Sequence, residues 1–351
     1  MNRIKALVTA PRKIEFVEEP IPALGDHEIL VKMLSVGICH TDLPTYLGTV
    51  GQVPSGLGFD RWVPQAQYPA LVGHEPVCVV ADAGRAVTRY KVGDQIAGMA
   101  FGAFSDYMVL SEDDPHFVPI PETDKERKYC LAEPLGCIVN IVREASCKYG
   151  QNIAVIGCGF MGLMTIAGLR RSGAKHLVAI DLLDNKLELA KELGATDVIN
   201  PAKETVDERA WALTDGRFFD VVVEISGSLK GLDTAGAIIK EPHVDGLPGF
   251  QGTYQGVGRI LIPSVYGKGE PFPVSLAFNL MSRTPVLLAT HPTFAERPQD
   301  NMREGVASYV DGRLPLDKLI THHVPFTELH RAFELMEHAP ADYIKGVVVF
   351  D

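Results

Sequence analysis

Apolar and polar positions alternate at the start of the chain, where Ile4, Ala6 and Val8 fall on one face of an extended segment. Similar short runs recur at 28–36 and 76–82, broken by many Gly and Pro residues as far as about residue 145. They predict an irregular, β-rich, barrel-like domain. From residue 152 the pattern changes. Apolar runs at 153–157, 176–181, 197–200, 219–225, 259–265 and 285–289 alternate with helical periodicity, clearest at 160–172 and 185–193. This is a βαβ succession, so the expected class is α/β with a parallel, doubly wound sheet. A helix at 328–337 and a last strand at 346–350 are expected to rejoin the first domain. The expected division is 1–145 with 291–351 in the β-rich domain, and 146–290 in the doubly wound one. No internal repeat or low-complexity segment is present.

A chain of 351 residues suits two cores better than one. Its 44 acidic against 33 basic residues give a formal charge of −11, which repels a phosphate backbone and an anionic membrane surface. Neither nucleic acid nor membrane is expected as a partner. The apolar stretch 153–169 is long enough to suggest a membrane span, but it holds four glycines and a strand-to-helix break. No export signal is expected in residues 1–10. Cys39, Cys78, Cys130, Cys137, Cys147 and Cys158 form no CxxC pair, a pattern suited to reduced thiols in the cytoplasm.

Gly157, Cys158, Gly159, Phe160, Met161 and Gly162 spell GxGxxG between a predicted strand and a predicted helix. The first glycine permits a tight turn, the second lets backbone approach a pyrophosphate, and the third lets helix and strand pack closely. The helix N-terminus adds amide donors and a positive dipole end. Asp181 follows Gly162 by nineteen residues, at the end of the next strand, where a carboxylate can accept hydrogen bonds from ribose hydroxyls. Leu182 and Leu183 supply no cation for a 2′-phosphate, so NAD is expected over NADP. Glu224, Ile225, Ser226 and Gly227 close another strand and are expected to bring Ser226 and Gly227 near the cofactor. A plain strand-end turn is the alternative there.

Three segments of the first region end in metal-ligand residue types: Cys39-His40-Thr41-Asp42, Gly73-His74-Glu75, and Glu133 with Cys137. Each alone also reads blandly, as a small buried thiol, a satisfied histidine or a helix-capping carboxylate. Asp42 either supports His74 by accepting its second ring N–H or caps the following helix. Thr41 either carries a substrate proton or satisfies local backbone.

Taken together, VGICHTD at Cys39, GHE at His74, VGD at 92–94, GAFSDY at 102–107, EPLG at Glu133 and GCGFMG at Gly157 resemble the zinc-dependent medium-chain dehydrogenases. The likeness is greatest to the sorbitol, threonine and glucose dehydrogenase branch, and it covers nearly the whole chain. It implies a GroES-like catalytic domain with a Rossmann domain inserted before the C-terminal segment. It also implies Cys39, His74 and a carboxylate as zinc ligands, and this branch leaves Glu75 and Glu133 as alternative or additional ligands. The activity implied is hydride transfer between NAD and a secondary alcohol or ketone of a polyol, sugar, cyclitol or hydroxy-amino acid, in a homodimer or homotetramer.

Two departures change what the resemblance implies. Only residues 95–101 separate Asp94 from Gly102, without a cysteine, so one catalytic zinc and no structural zinc is expected. Pro44 stands where the family's proton relay often ends in histidine; His40, Tyr46, or the ribose hydroxyl with water are the alternatives. The loops 48–68, with Phe59, Arg61, Trp62 and Gln65, and 241–257, with His243 and Tyr254, look longer than usual. The first is expected to reach the substrate; the second is either functional or a surface or subunit feature. Two other functions compete: an NAD-dependent epimerase or lyase working by transient oxidation of a sugar, and a non-catalytic NAD sensor.

Overall fold

The computed structural model describes residues 1–49, 67–242, 257–264, 273–290, 295 and 297–351. The chain divides into two compact units, Met1–Cys137 with Arg297–Asp351, and Ile138–Glu296. The expectations for Phe59, Arg61, Trp62, Gln65, His243 and Tyr254 lie outside the described residues.

In the first unit, β1 (Asn2–Ala10) pairs antiparallel with β2 (Lys13–Pro20). Its alternation sinks Ala6 and Val8 into the core and leaves Lys5 and Leu7 on the other, partly exposed face, as a two-residue side-chain period requires, while Ile4 on the core face lies far enough toward the strand's start to be exposed. β3 (Glu28–Gly37) and β4 (Glu75–Ala83) pair antiparallel with Gly37 opposite Glu75. Between them runs the short helix α1 (Leu43–Leu47), with Pro44 in its first turn and Gly48 in the left-handed conformation at its end. The strands β5 (Gln95–Gly98), β6 (Tyr107–Ser111) and β7 (Phe117–Pro119) follow. Helix α2 (Ala132–Ala145) comes next, and the division between the units falls within it.

The second unit alternates strand and helix: β8 (Asn152–Ile156), α3 (Phe160–Leu169), β9 (His176–Ile180), α4 (Asp184–Glu192) and β10 (Asp197–Ile199). It continues with α5 (Val206–Leu213), β11 (Val221–Glu224), α6 (Leu229–Ile238), β12 (Arg259–Ile262), α7 (Val274–Arg283) and β13 (Val286–Ala289). Among the described residues these strands form one six-stranded parallel sheet, ordered β10-β9-β8-β11-β12-β13. All five residues of β8 are buried, as a central strand covered on both faces demands. Each fully buried Val or Ile there contributes roughly 1.5–3 kcal/mol. The stretch 153–169 is therefore a strand and a helix, and no helix among the described residues is long and apolar enough to cross a membrane.

The chain then returns to the first unit through α8 (Pro298–Val310), β14 (Ile320–Pro325), α9 (Leu329–His338) and β15 (Lys345–Val349). β15 pairs antiparallel with β3, giving the path β14-β15-β3-β4-β5-β7 with β6 also on β3. Helix α9 buries Leu329, Ala332, Phe333 and Met336, a stripe at helical spacing, in the same core as Met33, Phe104 and Phe117.

Candidate functional site

The end of β3, the turn that leads into α1 and the start of β4 bring the metal-ligand residue types of the first unit together. Cys39 follows β3, residues His40–Asp42 form a single 3-10 turn, and His74 directly precedes β4. One donor atom each from Cys39, His74 and Glu75 lie within 4.8 Å of one another. Thiolate, imidazole and carboxylate are the donor types that zinc takes, so the set fits that ion. The Asp42 carboxylate accepts from the Gly73 N–H at 3.0 Å and lies 3.2 Å from His74 Nδ1. It makes no capping bond to α1, so of its two readings the geometry takes the one beside the imidazole. With Nδ1 turned to Asp42, Nε2 is left for the other side.

Burial works against a charged His74, but the hydrogen bond to Asp42 and then the Cys39 sulfur outweigh it and push the pKa up to about 12. A metal ion at this site must displace that proton. The Thr41 hydroxyl donates to Cys39 Sγ at 3.3 Å and lies 3.5 Å from His74 Nε2, beside the gathered donors. His40 is exposed at the surface, yet desolvation of its ring followed by the charge of Lys345 lowers its pKa. Glu133, in the first turn of α2, stands outside the Cys39, His74 and Glu75 group and accepts a 3.3 Å bond from Cys137 Sγ. Burial and the nearby Glu75 charge raise its pKa.

Tyr46 does not take the relay position suggested for it. Its ring is 3% exposed and stacks on Phe333 at 4.5 Å, while the charges that act on its hydroxyl are those of Glu334, Arg12 and Glu337. The reason is local: on α1, Tyr46 falls on the face that packs against α9. One site residue went unread in the sequence. Lys345, at the head of β15, donates to Glu75 Oε1 at 2.9 Å and is itself buried. Its only sequence signal is a lysine opening an otherwise apolar strand, Lys-Gly-Val-Val-Val.

The second unit holds the glycine motif at the carboxyl end of β8, where the sheet order turns from β9 on one side to β11 on the other. Gly157 has φ 97°, and a side chain there would meet Ser226 at 2.8 Å. At Gly162 a Cβ would fall 1.8 Å from the Gly157 carbonyl oxygen, whereas at Gly159 it would meet nothing within 4 Å. The outer two glycines thus serve the turn and the packing, and the middle one leaves backbone open to a ligand. Phe160 and Met161 begin α3, so their N–H groups belong to its first turn.

Asp181, just past β9, accepts from the Cys158 N–H at 2.7 Å and the Leu183 N–H at 2.9 Å, which aims its carboxylate beside the glycine loop. Ser226 and Gly227 follow β11, and Ser226 packs against Gly157 of that loop. The buried Glu224 carboxylate accepts from the Ser226 N–H at 2.9 Å and from its hydroxyl. The crevice therefore gathers Gly157, Gly159, Gly162, Asp181, Ser226 and Gly227, with an open amide cradle that fits a dinucleotide pyrophosphate.

Two family models match the chain, one within each unit: the alcohol dehydrogenase GroES-like domain over residues 25–122 and zinc-binding dehydrogenase over 161–241. The chain is a zinc-binding medium-chain dehydrogenase. This dehydrogenase is 28% identical over 356 aligned residues to D-xylulose reductase A of Aspergillus oryzae, covering 92% of the chain and 90% of the relative. It is 27% identical over 348 to L-threonine 3-dehydrogenase of Bacillus velezensis, covering 91% of each. The solved 2R,3R-butanediol dehydrogenase of Bacillus subtilis shares the dehydrogenase's fold with a TM-score of 0.77, at 22% identity and 99% coverage of both chains.

Proposed function

We propose that this enzyme oxidises a secondary alcohol of a polyol, sugar, cyclitol or hydroxy-amino acid with NAD, and reduces the matching ketone in reverse. The observation that carries the reading is the convergence of Cys39, His74 and Glu75 with Asp42 behind the imidazole. Its relatives named for xylulose and threonine support the substrate class. Asp181 supports NAD, because a carboxylate at that position repels a 2′-phosphate.

When bound, zinc would supply the positive charge that favours loss of the substrate's hydroxyl proton, and the nicotinamide would take up the hydride. Cys39, His74 and Glu75 would hold the metal, with Glu133 in reserve nearby. Asp42 keeps the His74 ring in one orientation and tautomer. Thr41 takes the proton leaving the substrate hydroxyl, and His40, its neighbour in the chain, or the ribose hydroxyl with water passes it on. Gly157, Gly159, Phe160, Met161 and Gly162 would hold the pyrophosphate on backbone amides, Asp181 would hold the ribose, and Ser226 and Gly227 would flank the cofactor. The six free thiols are compatible with work in the cytoplasm. The reading includes a homodimer or homotetramer.

Replacing Cys39→Ala is expected to abolish bound zinc and turnover while NAD affinity, read by fluorescence titration, stays within about twofold. Full turnover after metal removal would overturn the proposal. A screen of polyols, cyclitols and hydroxy-amino acids, read as NADH absorbance, names the substrate. Conversion of a sugar without net NADH would instead favour transient oxidation.

A further inference from the structure

Two exposed apolar side chains, Leu71 at 51% and Phe101 at 72% exposure, stand on neighbouring loops of the first unit beside His74. The loops are joined where the Ala103 N–H donates to the Gly73 carbonyl at 3.1 Å. Both glycines of that joint are left-handed, Gly73 at φ 84° and Gly102 at φ 80°. A Cβ at Gly102 would lie 3.1 Å from Leu71 Cδ2, so Leu71 lies over the turn that presents Phe101. The Phe101 ring is tilted 39° to the His74 imidazole with centroids 6.1 Å apart, the spacing of an aromatic pair. On the same imidazole, Nε2 lies 3.5 Å from the Thr41 hydroxyl, which donates to Cys39 Sγ. The donor group therefore has polar neighbours in Thr41 and the exposed His40, and apolar ones in Leu71 and Phe101.

Packing alone does not account for the apolar pair. Phe104, from the same loop as Phe101, is fully buried, whereas Leu71 and Phe101 keep half or more of their surface open next to the atoms a substrate would meet. A methylene fully buried on such a surface gains about fourfold in affinity, and a hydroxyl laid on it loses water without gaining a hydrogen bond. We infer that Leu71 and Phe101 are specificity-determining residues that receive an alkyl arm of the substrate, so that the preferred alcohol bears one apolar and one polar arm on its carbinol carbon. The inference rests on reading the Cys39, His74 and Glu75 group as the place where the alcohol is oxidised, and it narrows the substrate class proposed above. A chain hydroxylated at every carbon would set a hydroxymethyl group on the apolar pair. A diol or hydroxy-amino acid with an alkyl end would set a methyl or longer group there.

The test uses the full chain loaded with zinc, NAD, and the 1,2-diols of three to six carbons, with glycerol as the polar isostere of 1,2-butanediol. In the wild type kcat/KM is expected to rise at least about twofold per added methylene, chiefly through KM, and 1,2-butanediol to exceed glycerol at least about tenfold. Phe101→Ala and Leu71→Ser are each expected to lower the ratio of kcat/KM for 1,2-hexanediol to that for 1,2-propanediol at least about threefold. Phe101→Leu, which keeps an apolar surface, is expected to hold that ratio within about twofold. Bound zinc, read by atomic emission, stays at the wild-type level in all three. Saturation-transfer NMR is expected to mark the hexanediol tail in the wild type and to mark it less in Phe101→Ala. Should one variant not fold, the other gives the same reading. A wild-type series without slope, variants that lose activity toward every diol and glycerol alike, loss of zinc, or equal marking of the tail overturns the role of Leu71 and Phe101 and leaves alcohol oxidation standing. Zinc-loaded wild type that reduces NAD with no diol, polyol, cyclitol or hydroxy-amino acid overturns the proposed function and this inference with it.

Discussion

Asp181 is held by two backbone N–H groups, one from the glycine loop and one from its own turn, so its carboxylate cannot swing aside for a bulkier anion. Asp181→Ser removes the charge while keeping a hydrogen-bonding group. The ratio of kcat/KM with NAD to that with NADP is expected to fall at least about tenfold, or about 1.4 kcal/mol. Coenzyme kinetics on the wild type and the variant check this, and an unchanged ratio would free Asp181 of the role. At this scale the sequence was readable wherever the chemistry is local. Cys39 and His74 sit in short motifs, and Asp181 stands at a set distance from Gly162. Lys345 was not readable, because it meets Glu75 across 270 positions and only through the adjacency of three strands.

Among elements, the carboxylate of Glu112 ties together three pieces of the first unit just beyond β6. It accepts from His27 Nδ1 and from the N–H groups of Thr88 and Arg89, each at 2.8 Å. The His27 bond first and those backbone bonds next lower its pKa to about 2, from an ordinary 4.5. A lowered acid stabilises the fold fully above its unfolded value, and that contribution is lost as pH falls from about 4.5 toward 2. His27 is raised from 6.5 by the same bond, so its share is full below 6.5 and is lost as pH rises through its folded value. The stability difference between wild type and Glu112→Gln is therefore expected to be greatest between about 4.5 and 6.5. Urea unfolding across pH measures it; a flat difference would refute the assignment. Periodicity revealed β8, α3, β9 and α4 because their buried faces are apolar. It passed over α8, whose buried face includes Asn301, Gly305 and Ser308.

For the whole molecule, α7 shows Val274, Phe278 and Met281 to solvent at 85%, 65% and 73% exposure, spaced as one helical face. Val286 and Leu287 are exposed on β13, which ends the parallel sheet among the described residues. Such a surface supports the proposed association of like chains. Light scattering is expected to give a multiple of the single-chain mass for the wild type and a lower multiple for Phe278→Asp. A wild-type protein at the single-chain mass would end that reading. The α/β order and the return of the C-terminal strand were visible in the sequence, since both follow from runs of apolar residues. The split of the first unit into two stretches of chain also has a temporal side. During synthesis the inner unit, residues 138–296, emerges whole while the outer one still lacks β15. Until residue 345 leaves the ribosome, Glu75 has no ammonium partner, so the metal-binding half of a nascent chain is completed last.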